Sequence, residues 1–312
     1  MPRERRKAVV EDDAGRVDRV VQALTGASRA WVRGMFDHRC VSVDGAPCRD
    51  AGMPVARGAV VEVAYDPGQH YREVPPTRPN RAFRVAFEDS RLIVGEKVAG
   101  ILTVPTARRE RDTLVHAVAH HFSRGRVPQT AFVVHRLDRD TSGLLVFART
   151  DAIAQALKRQ FADRKPEREY AAFVAGHVAP DAGTFRSYLA TDEDLDEVSS
   201  DDPGEGRLAV THFEVVERLR GATHVRVHLE TGRRNQIRVH FADAGHPVLG
   251  DTRYSPELAR HPAWRHQRLA LHAKTLGFTH PATGRHVRVT SDLPVEFAAF
   301  LEATRSEGPD AP

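Results

Sequence analysis

The sequence predicts an α+β protein in two parts, a small module followed by one large domain. Three observations predict it. The chain has 312 residues, too many for one small domain and right for a large domain plus a small one. Strand-like alternation and helix-like spacing are mixed along the large part. One stretch at 65–80, YDPGQHYREVPPTRPN, carries four prolines and marks a boundary.

Residues 1–13, MPRERRKAVVEDD, read as a charged tail. RVDRVVQALTG reads as a helix, with Val17, Val20, Val21 and Leu24 at helical spacing. Ser28 is placed to cap a second helix over ASRAWVRGMF. CVSVDGAPC alternates and turns at Asp44-Gly45, a hairpin signal, and GAVVEVAY closes the module as a strand. The module therefore spans 14–64 and an extended linker 65–84. The large domain covers 85–302. In it, AFVV and GLLVFAR read as buried strands and DAIAQALKRQFADR as an amphipathic helix with Ile153, Leu157 and Phe161 on one face. HVRVHLETGRRNQIRVHFADAG passes from strand to helix. Residues 192–206, DEDLDEVSSDDPGEG, read as a solvated acidic loop. SDLPVEFAAFLEAT reads as a final capped helix before a tail at 303–312. Internal repeats are absent.

A 41% hydrophobic content supports a real core, and the mean hydropathy is −0.44. No apolar run of 18 residues occurs, which argues against a transmembrane helix, and the N-terminus lacks a secretory apolar stretch. The expected location is the cytoplasm, with Cys40 and Cys48 reduced there. Net charge is +4 and the isoelectric point about 9.3; five of the 46 basic residues are lysine and 41 arginine. This balance raises the prospect of a nucleic-acid partner without deciding it. His116 and His120 stand one helical turn apart, but a metalloprotease glutamate and a third ligand are missing, so no metal is expected. Gly204 and Gly206 lie in an acidic stretch without the rest of a dinucleotide fingerprint.

The stretch AFVVHRLDRDTSGLLVFAR, 131–149, asks for a chemical reason: two arginines, two carboxylates and two hydroxyls sit between two apolar strands. HRLDRDTSG resembles the signature loop of the RluA-type pseudouridine synthase family. Four further blocks resemble that family in order: FEDSRLIVGEKVAGILTVP, EREYAAFVAG, LETGRRNQIRVHFADAGHPVLGD and RLALHAKTLGFTHPATG. Val98 stands where proline is usual, Arg168 where lysine is, and Asn235 where histidine is common. The module resembles an S4 RNA-binding domain, with His38 in place of a usual glycine and Ala59 in place of a common acidic residue.

The resemblance implies a mixed, mainly antiparallel sheet and isomerisation of uridine in RNA. In that reaction the N1–C1′ bond breaks, uracil turns, and C5 bonds to the same sugar carbon. Nothing leaves the product, so no cofactor is implied. It assigns Asp138 as the catalytic carboxylate, Arg238 as the guanidinium holding it ionised, and Tyr170 as the aromatic that stacks on the flipped base. Whether Asp138 would attack C1′, attack C6 or take a proton from the sugar stays open. Asp140 fits better as a loop-fixing carboxylate accepting backbone N–H bonds, with Thr141 and Ser142 fixing the same loop and Gly143 returning the chain to its strand. Arg136 would occupy the vacated stack or hold a phosphate, and Arg16, Arg29 and Arg33 would face RNA phosphates. Ribosomal RNA is favoured as partner, transfer RNA stays open, and a monomer is the default. Two other readings compete. A non-catalytic ribosome-assembly factor would keep the fold, but binding alone has no need of a carboxylate facing RNA. A glycosidase would need two carboxylates at a set separation, which alternate residues rarely supply.

Overall fold

The structure, a computed structural model, describes residues 4–11, 15–69, 71, 82–108, 110, 112–123, 127–193 and 196–305. The chain divides into two compact units, 1–78 and 79–312.

The first unit holds β1 (Glu4–Val9), β2 (Gly15–Arg16), α1 (Val17–Thr25), α2 (Arg29–Asp37), β3 (Val41–Val43), β4 (Ala46–Pro47), β5 (Pro54–Val55) and β6 (Val60–Tyr65). Ser28 caps α2 by accepting from the Trp31 N–H at 3.3 Å. Asp44 and Gly45 both take positive φ, as a tight hairpin turn needs. Val17, Val21, Val32, Met35, Phe36, Val61 and Val63 form its core. Two expectations are corrected here. Residues 4–9 are not a tail: β1 pairs antiparallel with β6 along its whole length. The expected linker does not start at 65, because Tyr65 ends β6 and Tyr71 is buried against Trp31 and His38. Most of the proline-rich stretch and most of the expected C-terminal tail lie outside the described residues. Both cysteines are free thiols.

The second unit holds β7 (Phe83–Glu88), β8 (Leu92–Lys97), α3 (Leu114–Ser123), β9 (Phe132–Val133), β10 (Ser142–Ala148), α4 (Asp151–Ala162), β11 (Glu167–Ala175), β12 (Ala182–Thr191), β13 (Glu197–Ser200), β14 (Arg207–Leu219), β15 (Ala222–Leu229), α5 (Gln236–Asp243), β16 (Leu271–Thr279), β17 (His286–Thr290) and α6 (Val295–Thr304). Among the described residues these strands make one 11-stranded sheet, and the class is α+β as expected. Its path runs β13-β12-β14-β15-β11-β16-β10-β8-β7, with β17 beside β16 and β9 beside β10. All pairings are antiparallel except β10 with β16, which run parallel for two residue pairs.

β10 reads as an unbroken apolar run because both its faces are covered. Leu144 and Val146 pack with Leu157 of α4, while Leu145 and Phe147 pack with Leu114, Val118 and Phe122 of α3. The expected acidic loop at 192–206 is corrected in part: Glu197–Ser200 is an edge strand on β12. The final helix forms, but Pro294 gives it no side-chain cap.

Three buried histidines of this unit are held neutral. Burial lowers His224, His240 and His272 each to about 4. In the unfolded chain a histidine takes its proton near pH 6.5. Below that pH the unfolded state binds more protons, so this stability is fully present above pH 6.5 and lost as pH falls toward 4. Each ring can contribute up to about 1.4 kcal/mol per pH unit in that window. The denaturant midpoint should drop steeply between pH 6.5 and 4.5; a flat profile there would contradict burial of the neutral rings.

Candidate active site

The loop 134–141 leaves the edge strand β9 and returns into β10, and its backbone is fastened from both sides. Thr103 Oγ1 donates to the Leu137 carbonyl at 2.7 Å and accepts the Leu137 N–H at 3.1 Å. Lys97, 1% exposed, donates to the carbonyls of Val98, Ile101 and Arg139 at 2.9, 2.8 and 2.7 Å. Burial pushes this ammonium down to about 7, while Asp140 and Asp138 pull it back up. Three carbonyls match its three N–H donors, so the charged form is the one the geometry serves. Gly143 enters β10 at φ +116°, where a Cβ would stand 2.2 Å from the Ala273 carbonyl oxygen. Only glycine lets the loop close on β16 this tightly.

Ser142, expected with Thr141 to fix the loop, is held at its hydroxyl from two sides. Arg268 donates to Ser142 Oγ at 2.6 Å, and Ser142 Oγ meets His272 Nδ1 at 2.7 Å. His272 Nε2 meets Ser291 Oγ at 3.0 Å, and Ser291 donates to Glu96 at 2.6 Å. With a neutral ring protonated on Nε2, every donor in this chain points from Arg268 toward Glu96. Asp140 and Thr141 do not play the expected parts. The Asp140 carboxylate accepts no hydrogen bond among the described residues and acts on Lys97 and Arg268 only through its charge. The Thr141 hydroxyl, in a residue 2% exposed, has no partner among them.

One small cavity gathers Arg136, Asp138, Thr141, Tyr170, Arg238 and Leu271 among its lining residues. The structure thus brings the three expected catalytic residues together from a loop, a strand and a helix. Tyr170 sits where β11 slips register against β16, between Glu169 and Tyr170; such a bulge re-aims a side chain. The Tyr170 ring is buried, which raises its phenol above the ordinary range despite the opposing pull of Arg168. The phenol therefore stays protonated at neutral pH, a donor and a stacking face rather than a resting base. Arg136 is exposed at the rim and has no partner among the described residues.

Arg238 is where the sequence reading needs revision. Its principal partner is not Asp138 but Asp251. Arg238 Nε and NH2 grip the two Asp251 oxygens at 2.6 and 2.8 Å, and the Asp251 side chain is 0% exposed. Asp138 Oδ2 lies 3.5 Å from Arg238 NH1. The fork leaves NH1 turned toward Asp138 and the Asn235 amide oxygen, 3.1 Å away. Burial opposes the Arg238 charge, but Asp251 and then Asp138 raise it above the ordinary value. Asn235 opens α5 in the left-handed region, φ 53°, a conformation asparagine tolerates better than most residues. It also donates to Tyr254 Oη at 3.0 Å, below whose ring Arg238 lies at 5.0 Å. Asp251 was missed by sequence reasoning, although it ends a quoted block, GHPVLGD. The adjoining Gly250, φ +77°, with the Arg268 carbonyl 2.2 Å from where a Cβ would be, marks a backbone built for close approach.

The expected RNA-facing arginines belong to the first unit. Arg16, Arg29 and Arg33 line one groove there, joined by Arg19 and Gln22. Arg16 is forked onto Asp18 at 3.2 and 2.8 Å. His116 and His120 lie on α3, where the His116 Nδ1 is bonded to Thr113 at 2.9 Å.

Comparison with known proteins identifies a family. A family described as RNA pseudouridylate synthase matches residues 91–243. The ribosomal large subunit pseudouridine synthase D of Zymomonas mobilis is 33% identical over 313 residues, covering 97% of this chain and 98% of that protein. The protein of the same name from Pseudomonas aeruginosa is 36% identical over 233 residues, 72% of each chain. The solved structure of human RNA pseudouridylate synthase domain containing 4 aligns over 72% of this chain and 94% of its own, with 21% identity and a TM-score of 0.58, which establishes the likeness of fold. On sequence and fold alike, the chain belongs to the RNA pseudouridine synthase family.

Proposed function

We propose that this enzyme converts uridine to pseudouridine in large-subunit ribosomal RNA, with Asp138 as its catalytic carboxylate. The observation that carries the reading is the shared cavity in which Asp138, Tyr170 and Arg238 meet. The relatives named for the ribosomal large subunit favour that RNA as the substrate over transfer RNA. On this reading the protein works in the cytoplasm, as a monomer.

The target base must leave the stack, which costs a few kcal/mol and least in loops or bulges. Arg136, exposed at the rim, holds a phosphate or fills the vacated space. Tyr170 offers its ring to the flipped uracil and its hydroxyl as a donor. Asp138, charged opposite Arg238, acts on the sugar or on C6. The N1–C1′ bond breaks, the detached uracil turns within the site, and C5 bonds to C1′. The proton on C5 leaves and N1 gains one, so atoms balance without a cofactor. The first unit acts as an S4-like RNA-binding module, and its Arg16, Arg29 and Arg33 groove supplies phosphate contacts that position without reading sequence.

Tritium release from RNA labelled at uridine C5 tests the reading. Purified protein should release tritium from unmodified large-subunit ribosomal RNA and not from transfer RNA. Release from transfer RNA alone would reassign the substrate. Tight binding to ribosomal RNA with no release would favour the assembly-factor reading.

A further inference from the structure

We propose that the Thr141 hydroxyl is a substrate-binding group. It would hydrogen-bond the target uridine at an oxygen within three bonds of C1′, uracil O2 or the ribose 2′-hydroxyl. The inference rests on the uridine-isomerising reading of this site.

Thr141 Oγ1 is buried and without a hydrogen-bond partner among the described residues. A buried hydroxyl left unpaired is unfavourable, and in native proteins such a group is rare and calls for a functional or structural reason. The loop does not supply one. The Thr141 N–H donates to the Asp138 carbonyl at 3.3 Å, which folds the two residues side by side, but the side chain takes no part. The next residue shows what anchoring looks like here: Ser142 Oγ is engaged by both Arg268 and His272.

Thr141 lines the same cavity as Asp138, Tyr170 and Arg238. Threonine populates more than one χ1 well, so the hydroxyl of this lining residue is free to turn toward a ligand. The amides nearby are already committed. Gln236 bonds Thr231, the Arg233 N–H, Val210 and Thr211, and Asn235 bonds Arg238 and Tyr254. Thr141 is therefore a neutral group beside Asp138 able both to donate and to accept, as a carbonyl or a 2′-hydroxyl requires. A uridine whose C1′ lies against Asp138 in this cavity brings O2 and the 2′-hydroxyl, the oxygens nearest C1′ on the base and on C2′, to the side where Thr141 stands.

Thr141→Val keeps the shape and removes the hydroxyl. In the full-length enzyme it should lower kcat/KM about tenfold, and Thr141→Ser should restore most of the loss. The melting temperature of Thr141→Val should stay level or rise, since no existing hydrogen bond is broken. A clear fall in melting temperature would mean a structural hydroxyl and would overturn the proposal; so would unchanged kcat/KM. Substrates carrying 2-thiouridine or 2′-deoxyuridine at the modified position identify the partner. One analogue should be turned over about tenfold worse by the wild type and lose nothing further with Thr141→Val. Additive losses with both analogues would overturn the contact. If the wild type makes no pseudouridine at all, the functional reading falls and this contact with it, whereas an active wild type with an equally active Thr141→Val removes the contact alone.

Discussion

Asp138→Asn should abolish pseudouridine formation while leaving folding and RNA binding intact. Asparagine fills the same space and keeps a hydrogen-bonding oxygen, but it carries no charge and is neither nucleophile nor base. Loss of such a group costs on the order of 10⁴-fold in kcat or more. Folding should hardly change. Asp138 is 24% exposed on its side chain and stands 3.5 Å from Arg238, which keeps its two short bonds to Asp251 when Asp138 is neutralised. A partly exposed pair of that length contributes no more than about 1 kcal/mol. RNA binding should hold or tighten slightly, because a negative charge near the phosphate backbone is removed. The measurement is product formation in single turnover beside a binding isotherm on the same RNA. Near-wild-type turnover would move the catalytic carboxylate to Asp140, the one other acidic residue of the loop.

The parts that sequence conveys well here are the ones whose determinants lie close together in the chain. The Ser28 cap, the Asp44-Gly45 turn and the doubly buried β10 each depend on a few consecutive residues. The loop carrying Asp138 is equally local: its polar cluster between apolar strands is visible without any structure. What escaped lies across space or on edges. β1 is a strand whose outer side chains are nearly all exposed, so ERRKAV shows no apolar alternation and reads as a tail. β13 is another edge, disguised by the acidic residues around it. Asp251 lies thirteen residues past its partner Arg238, and nothing in their spacing announces a fork. Thr141 shows the reverse error. A loop hydroxyl is reasonably expected to brace its own loop, and only the full set of contacts reveals that Ser142 does so while Thr141 does not.

The Arg238–Asp251 fork should prove necessary to both fold and chemistry, and substitution can separate the two. The Asp251 carboxylate is fully buried. Besides gripping Arg238, it accepts the Arg253 N–H at 2.9 Å and the Tyr254 N–H at 3.1 Å. Asp251→Ala leaves a guanidinium only 12% exposed without its main counter-charge and strands two backbone donors. Removing one partner of a buried pair costs about 3–5 kcal/mol. For a unit of this size that is a fall of on the order of 10 °C in melting temperature. Activity should drop further than stability explains, because a freed Arg238 can close onto Asp138 and occupy the carboxylate that the uridine needs. Exchanging both partners for apolar residues of similar volume, Arg238→Met with Asp251→Leu, resolves the two roles. A buried ion pair replaced whole by apolar contact is often neutral for stability. The double variant should therefore recover the part of the melting temperature that the unpaired guanidinium cost, though not the part due to the two stranded N–H groups, yet remain inactive, since nothing cationic then faces Asp138. Recovery of turnover together with stability would show that the fork is a structural element alone. An Asp251→Ala protein as stable as the wild type would show that the fork does not form.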